Sequence, residues 1–98
     1  MKVTHQPRVA WDTARTIGGA FGDDELFGWL RGELVALLGP AAGAALSESR
    51  DRVRQAGEAR LPVETGLWRV RLEDALRQRP ELGADLAGLA PVARARRP

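Results

Sequence analysis

The stretch from Asp23 to Pro40 constrains this chain more than any other. It opens on the acidic run Asp23-Asp24-Glu25, continues with apolar residues at helical spacing, and stops at Gly39-Pro40. Acid at the start suits the positive end of a helix dipole, and Asp23 is placed to cap it. A glycine followed by a proline ends such a helix. The spacing therefore predicts a helix over about 24–38. Stepping by about 100° per residue puts Leu26, Phe27, Leu30, Leu34, Leu37 and Leu38 on one broad arc, which Trp29 and Ala36 extend on one side. An apolar face this wide has to be covered by other elements, and the remaining sequence offers helices to do so.

Ala10, Ala14, Ile17 and Phe21 recur at i, i+4, i+7 and i+11, with Trp11 beside them. They predict a first helix over about 8–17, ended by Gly18-Gly19. Residues 41–59 are alanine-rich and predict a third helix with a thin stripe of Ala42, Ala45, Leu46, Val53 and Ala56, interrupted by Ser49. Leu61-Pro62 reads as a break. Residues 67–73 fit two templates. Trp68, Val70 and Leu72 alternate with charged residues as in a strand, whereas Trp68, Leu72, Ala75 and Leu76 fit a helix. A lone strand has no partner in this chain, so helix is favoured, with Arg69, Glu73 and Arg77 as an i, i+4 charge ladder. Pro80 and Glu81 open a last short helix striped by Leu82, Leu86 and Leu89, which Pro91 ends. The expected fold is all-α, a small bundle of four to five short helices. Residues 1–8 form an irregular lead-in, 9–90 one helical domain, and 91–98 a mobile basic tail.

Composition narrows the functions. A chain of 98 residues that is 44% hydrophobic and 29% charged is one folded domain rather than a disordered segment. Small domains bury a lower fraction of their surface, so association between copies would help this one. The absence of cysteine removes disulfides, thiolate chemistry and Cys-ligated zinc, and fits a cytoplasmic protein. Neither a signal peptide nor a membrane span is expected, since Arg31, Glu33 and Pro40 interrupt the most apolar window. Residues 1–49 carry four basic and six acidic side chains, a net charge of −2. Residues 50–98 carry eleven and seven, a net charge of +4.

The sequence offers no enzyme motif. His5 is the only histidine, too few for a His-based metal site and without a partner for a triad. Gly18-Gly19-Ala20-Phe21-Gly22 lacks the lysine of a phosphate loop, and the acids that follow would repel a phosphate. No catalytic, cofactor-binding or metal-binding residue is assigned. Glu33 falls inside the apolar arc between Trp29 and Leu37, where a carboxylate must reach solvent or find an arginine. Gly28 and Gly32 have the small-xxx-small spacing that lets helices approach closely.

Trp29-Leu30-Arg31, Leu37-Leu38-Gly39, the run from Leu67 to Leu76, and Pro80-Glu81-Leu82 together resemble short all-helical proteins of unknown function common in GC-rich bacteria. The likeness spans residues 24–89 and implies a helical fold. It implies no activity and no site residues.

The expectation is a non-enzymatic, protein-binding helical module, self-associating as a homodimer, with Trp29, Glu33 and Trp68 as the contacts, since tryptophan and arginine dominate interface hot spots. Two alternatives stand beside it. One is a binder of nucleic acid or an anionic surface through Arg50, Arg52, Arg54 and Arg60 or the tail arginines Arg94, Arg96 and Arg97, in which case binding would fall with salt. The other is a structural subunit of a larger homo-oligomeric assembly.

Overall fold

The structure, a computed structural model, describes residues 5–96. Those residues form six α-helices and one 3-10 turn: α1 (Gln6–Ala20), α2 (Asp24–Leu38), α3 (Pro40–Ala56), the 3-10 turn (Glu58–Arg60), α4 (Leu61–Gln78), α5 (Leu82–Ala87) and α6 (Leu89–Arg96). The fold is all-α, and residues 67–73 are helical within α4. No helix among the described residues is long and apolar enough to cross a membrane.

The second helix has the predicted bounds. Asp23 caps it by accepting a hydrogen bond from the Leu26 amide at 3.1 Å. Gly39 ends it at φ 99° and ψ 170°, a conformation essentially restricted to glycine. Leu26, Phe27, Leu30 and Leu34 are its buried face.

Other ends move for identifiable reasons. The first helix runs straight through Gly18-Gly19, because Gly18 is a contact surface rather than a stop. A Cβ there would sit 2.8 Å from Thr65 Oγ1 and 3.3 Å from a Leu61 methyl, so the missing side chain is what lets α1 and α4 close. Its start also lies earlier than predicted. His5 accepts from the Arg8 amide at 3.3 Å as an N-cap, and Pro7 occupies the first turn, so residues 6–8 are helix rather than lead-in. The third helix starts at Pro40 and ends at Ala56, where Gly57 turns the chain at φ 91° into the 3-10 turn. Leu61-Pro62 is a beginning and not a break: Pro62 sits in the first turn of α4, where no amide donor is needed. The last predicted helix is two, and Pro91 lies in the first turn of α6 instead of ending a helix. Residues 91–96 are therefore helical and not a loose tail; residues 97–98 lie outside the described residues.

α1 occupies the centre. It packs against α2, α4, α5 and α6, while α2 and α3 form a hairpin and α3 meets the start of α4. The core joins Ala10, Ala14 and Ile17 of α1 to Leu30 and Leu34 of α2, Leu46 of α3, Leu72 and Leu76 of α4, and Leu86 of α5. α6 adds Leu89 and Ala93.

Candidate functional site

α4 buries Glu64, Trp68, Leu72 and Leu76, one stripe at four-residue spacing with a carboxylate at its head. Glu64 is fully buried, and every acceptor position of its carboxylate is used. Oε1 accepts from Ser49 Oγ at 2.6 Å and from Arg52 Nη2 at 2.9 Å. Oε2 accepts from Arg52 Nε at 2.9 Å and Arg60 Nε at 2.8 Å. Arg52 thus grips the carboxylate with two parallel bonds, the strongest geometry for this pair. Ser49, buried on α3, accepts a hydrogen bond from the Trp68 indole N–H at 3.1 Å and donates its own hydroxyl hydrogen to Glu64. The Arg52 fork outweighs the burial that opposes ionisation, and with Ser49 and Arg60 it holds the Glu64 carboxyl down to about 2. The same pairing raises the Arg52 guanidinium above its ordinary value.

This network ties α3, the 3-10 turn and α4 together at one end. Beside it lies a groove of about 370 Å³ lined by Ala45 and Arg52 of α3 and Glu64, Leu67, Trp68, Val70, Arg71 and Asp74 of α4. Arg71 lies over the Trp68 ring at 4.9 Å. Leu67 and Val70 of this lining, with Val63 one turn earlier on α4, recur at i, i+4 and i+7 and are 53%, 50% and 48% exposed. A three-residue apolar ridge so open has no partner within the described residues.

The three contacts expected from sequence do not share an exposed surface. Trp68 is 3% exposed and belongs to the core, because its indole N–H is consumed by Ser49 and its ring closes the α4 stripe. Trp29 is half-buried on α2, with the Arg96 guanidinium 4.6 Å over its ring. Glu33 is half-buried one turn further on and forms no ion pair among the described residues. The Gly28 and Gly32 face is open, with nothing within reach of an added Cβ.

The arginines assigned to a nucleic-acid surface are occupied internally. Arg50 and Arg54 both pair with Asp24, at 3.3 and 3.0 Å, clamping α3 to the start of α2. Arg50 also lies 3.9 Å over the Phe27 ring. Arg52 and Arg60 hold Glu64. Arg96 covers Trp29, and Arg97 lies outside the described residues. Arg94 lines a polar cleft with α1, and Arg96 a second one beside Asp23 and Glu25. The Arg69–Glu73 step of the charge ladder forms at 3.1 Å, but Arg77 turns to Asp74 instead.

Glu64 escaped the sequence reading because residues 60–65 look like a polar linker around Pro62. Two signals pointed to it. Ser49 interrupts the stripe of α3, which marks a buried polar group in need of a partner. Glu64 also continues the Trp68, Leu72, Leu76 spacing by one turn, once the helix is allowed to begin at Leu61. Among the described residues no group of three or more His, Asp and Glu side chains is placed to hold a metal ion. The chain matches no family model, no curated protein and no solved structure.

Proposed function

We propose that this chain is a protein-binding helical module that pairs with a second copy of itself through α4. The observation that carries this reading is the exposed ridge of Val63, Leu67 and Val70 beside the α3–α4 groove. Apolar side chains at i, i+4 and i+7 are the pattern by which one helix docks into the groove of another. Here Leu67 and Val70 of the ridge also form one wall of the groove. A two-fold antiparallel arrangement would lay each ridge in the other copy's groove, the self-complementarity an isologous interface requires. The Glu64 network stiffens the groove's closed end, so little ordering is left to offset on binding. A chain this small also gains from added apolar burial.

Static light scattering over a dilution series tests the reading. The full chain is expected to show twice its monomer mass at high concentration. Leu67→Glu, which places a charge at the exposed centre of the ridge, should give the monomer mass with an unchanged helical circular-dichroism spectrum. A full chain that stays monomeric at every concentration would sink the proposal.

A further inference from the structure

The arginines of this protein divide by what holds them. Between residues 50 and 79 every arginine except Arg71 has a carboxylate within ion-pair distance. Arg31 instead donates to the Gly43 carbonyl and to Ser47, Arg71 and Arg96 lie on tryptophan rings, and Arg15 lies more loosely over Trp11, 5.8 Å from the ring centroid. Among the described residues, Arg8, Arg15 and Arg94 have no carboxylate partner, and these three line one cleft between α1 and α6. Arg8 and Arg15 stand two turns apart on a single face of α1, with Asp12 and Thr16 between and beside them. Arg94 approaches from α6, one turn beyond Ala90. The cleft measures about 560 Å³, within the range of small-ligand sites.

Asp12 is the one carboxylate in this cleft, so its lining carries a net charge of +2. Three arginines against one carboxylate leave this lining positive and favour an anion placed among them. Guanidinium groups present planar forks that match phosphoryl oxygens, two bonds at a time. Arg8 and Arg15 lie about 10 Å apart along the helix axis. That separation selects an anion whose charge is spread over several groups rather than concentrated on one. We infer that the α1–α6 cleft is a binding site for a short phosphate chain, a di- or triphosphate group, gripped by Arg8, Arg15 and Arg94. The site is independent of the α4 ridge, so neither reading depends on the other.

Isothermal titration of the full chain with inorganic triphosphate at low ionic strength tests this. Saturable one-to-one binding is expected. Arg15→Gln and Arg94→Gln should each weaken it by about tenfold, the loss of charge-assisted hydrogen bonds. Asp12→Asn should tighten it by removing the carboxylate that repels the ligand. All three positions are solvent-exposed, and circular dichroism checks that the variants fold. Arg54→Gln, outside the cleft, is the control for diffuse charge. A parallel titration with a nucleoside triphosphate separates the sources: equal affinity assigns recognition to the phosphate chain alone, and tighter binding adds a contribution from the nucleoside. Absence of saturable binding, or an equal loss in Arg54→Gln, would overturn the inference. So would binding to single-stranded RNA without binding to triphosphate.

Discussion

Replacing Glu64 by Gln keeps the shape of the side chain and removes the charge that Arg52 and Arg60 hold. A buried amide would then present donor hydrogens to two guanidinium groups that are themselves donors only. Because Arg52 and Arg60 are partly exposed, water solvates them once released, and the loss falls below that of a fully enclosed pair. A destabilisation of about 1–3 kcal/mol is expected, read from urea midpoints. The pH dependence follows from the direction of the shift. The Glu64 carboxyl lies lower in the folded chain, at about 2, than its ordinary 4.5, so the unfolded chain binds the extra proton. The contribution is complete above pH 4.5 and is lost as pH falls from there toward 2. Urea midpoints should drop over that window, and Glu64→Gln should flatten the drop. Ser49→Ala tests the other arm of the network. It leaves the Trp68 indole N–H buried without an acceptor and should cost about 1–2 kcal/mol. At this scale the sequence exposed only half of the pair. Ser49 was visible as a polar residue in an apolar stripe, whereas Glu64 was hidden behind a proline that looks like a stop.

Helix ends show which physical signals a linear reading captures. α2 was legible at both ends because its cap and its stop are local: an aspartate accepts from an amide three residues on, and a glycine takes a positive φ. α1 was misread at Gly18-Gly19 because the cause lies 47 residues away, in the close approach of Thr65. A glycine that turns the chain and a glycine that admits a neighbour look identical in sequence. Substitution by alanine separates the roles. At Gly57, φ 91° and ψ 176° strain any side chain even though the space around it is open, so Gly57→Ala should destabilise by about 1–3 kcal/mol. At Gly28, in the middle of α2 and equally open, the same change removes backbone freedom from the unfolded chain. It should stabilise the protein by about 0.5–1 kcal/mol. Thermal midpoints moving in opposite directions for the two variants would establish the distinction, and a rise at Gly57 would refute the strained-turn assignment.

At the scale of the molecule, the all-α class followed from one wide apolar arc, but the arrangement of helices did not. α1 and α4 form the most extensive helix pair, yet their closest approach is at Gly18 against Thr65 and Leu61, where a residue with no side chain gives no sign of a core. The C-terminal segment is the clearest case, since its arginines and prolines look like a solvated tail. In the fold, α6 closes the bundle over α1 and α2, burying Leu89 and Ala93 and laying Arg96 on Trp29. Removing residues 89–98 should therefore act as a core mutation. Loss of the buried leucine alone accounts for about 2–3 kcal/mol, and the apolar surface uncovered on α1 and α2 adds to it. Against a domain stability of about 5–15 kcal/mol, the truncated chain should remain helical but unfold at a clearly lower temperature. Arg96→Ala should reproduce a small part of this, about 0.5–1 kcal/mol, through the lost stacking on Trp29. Calorimetry of the full chain, the truncation and Arg96→Ala sets the scale. A truncation that melts with the full chain would mean that α6 contributes nothing to the bundle, contrary to the burial of Leu89.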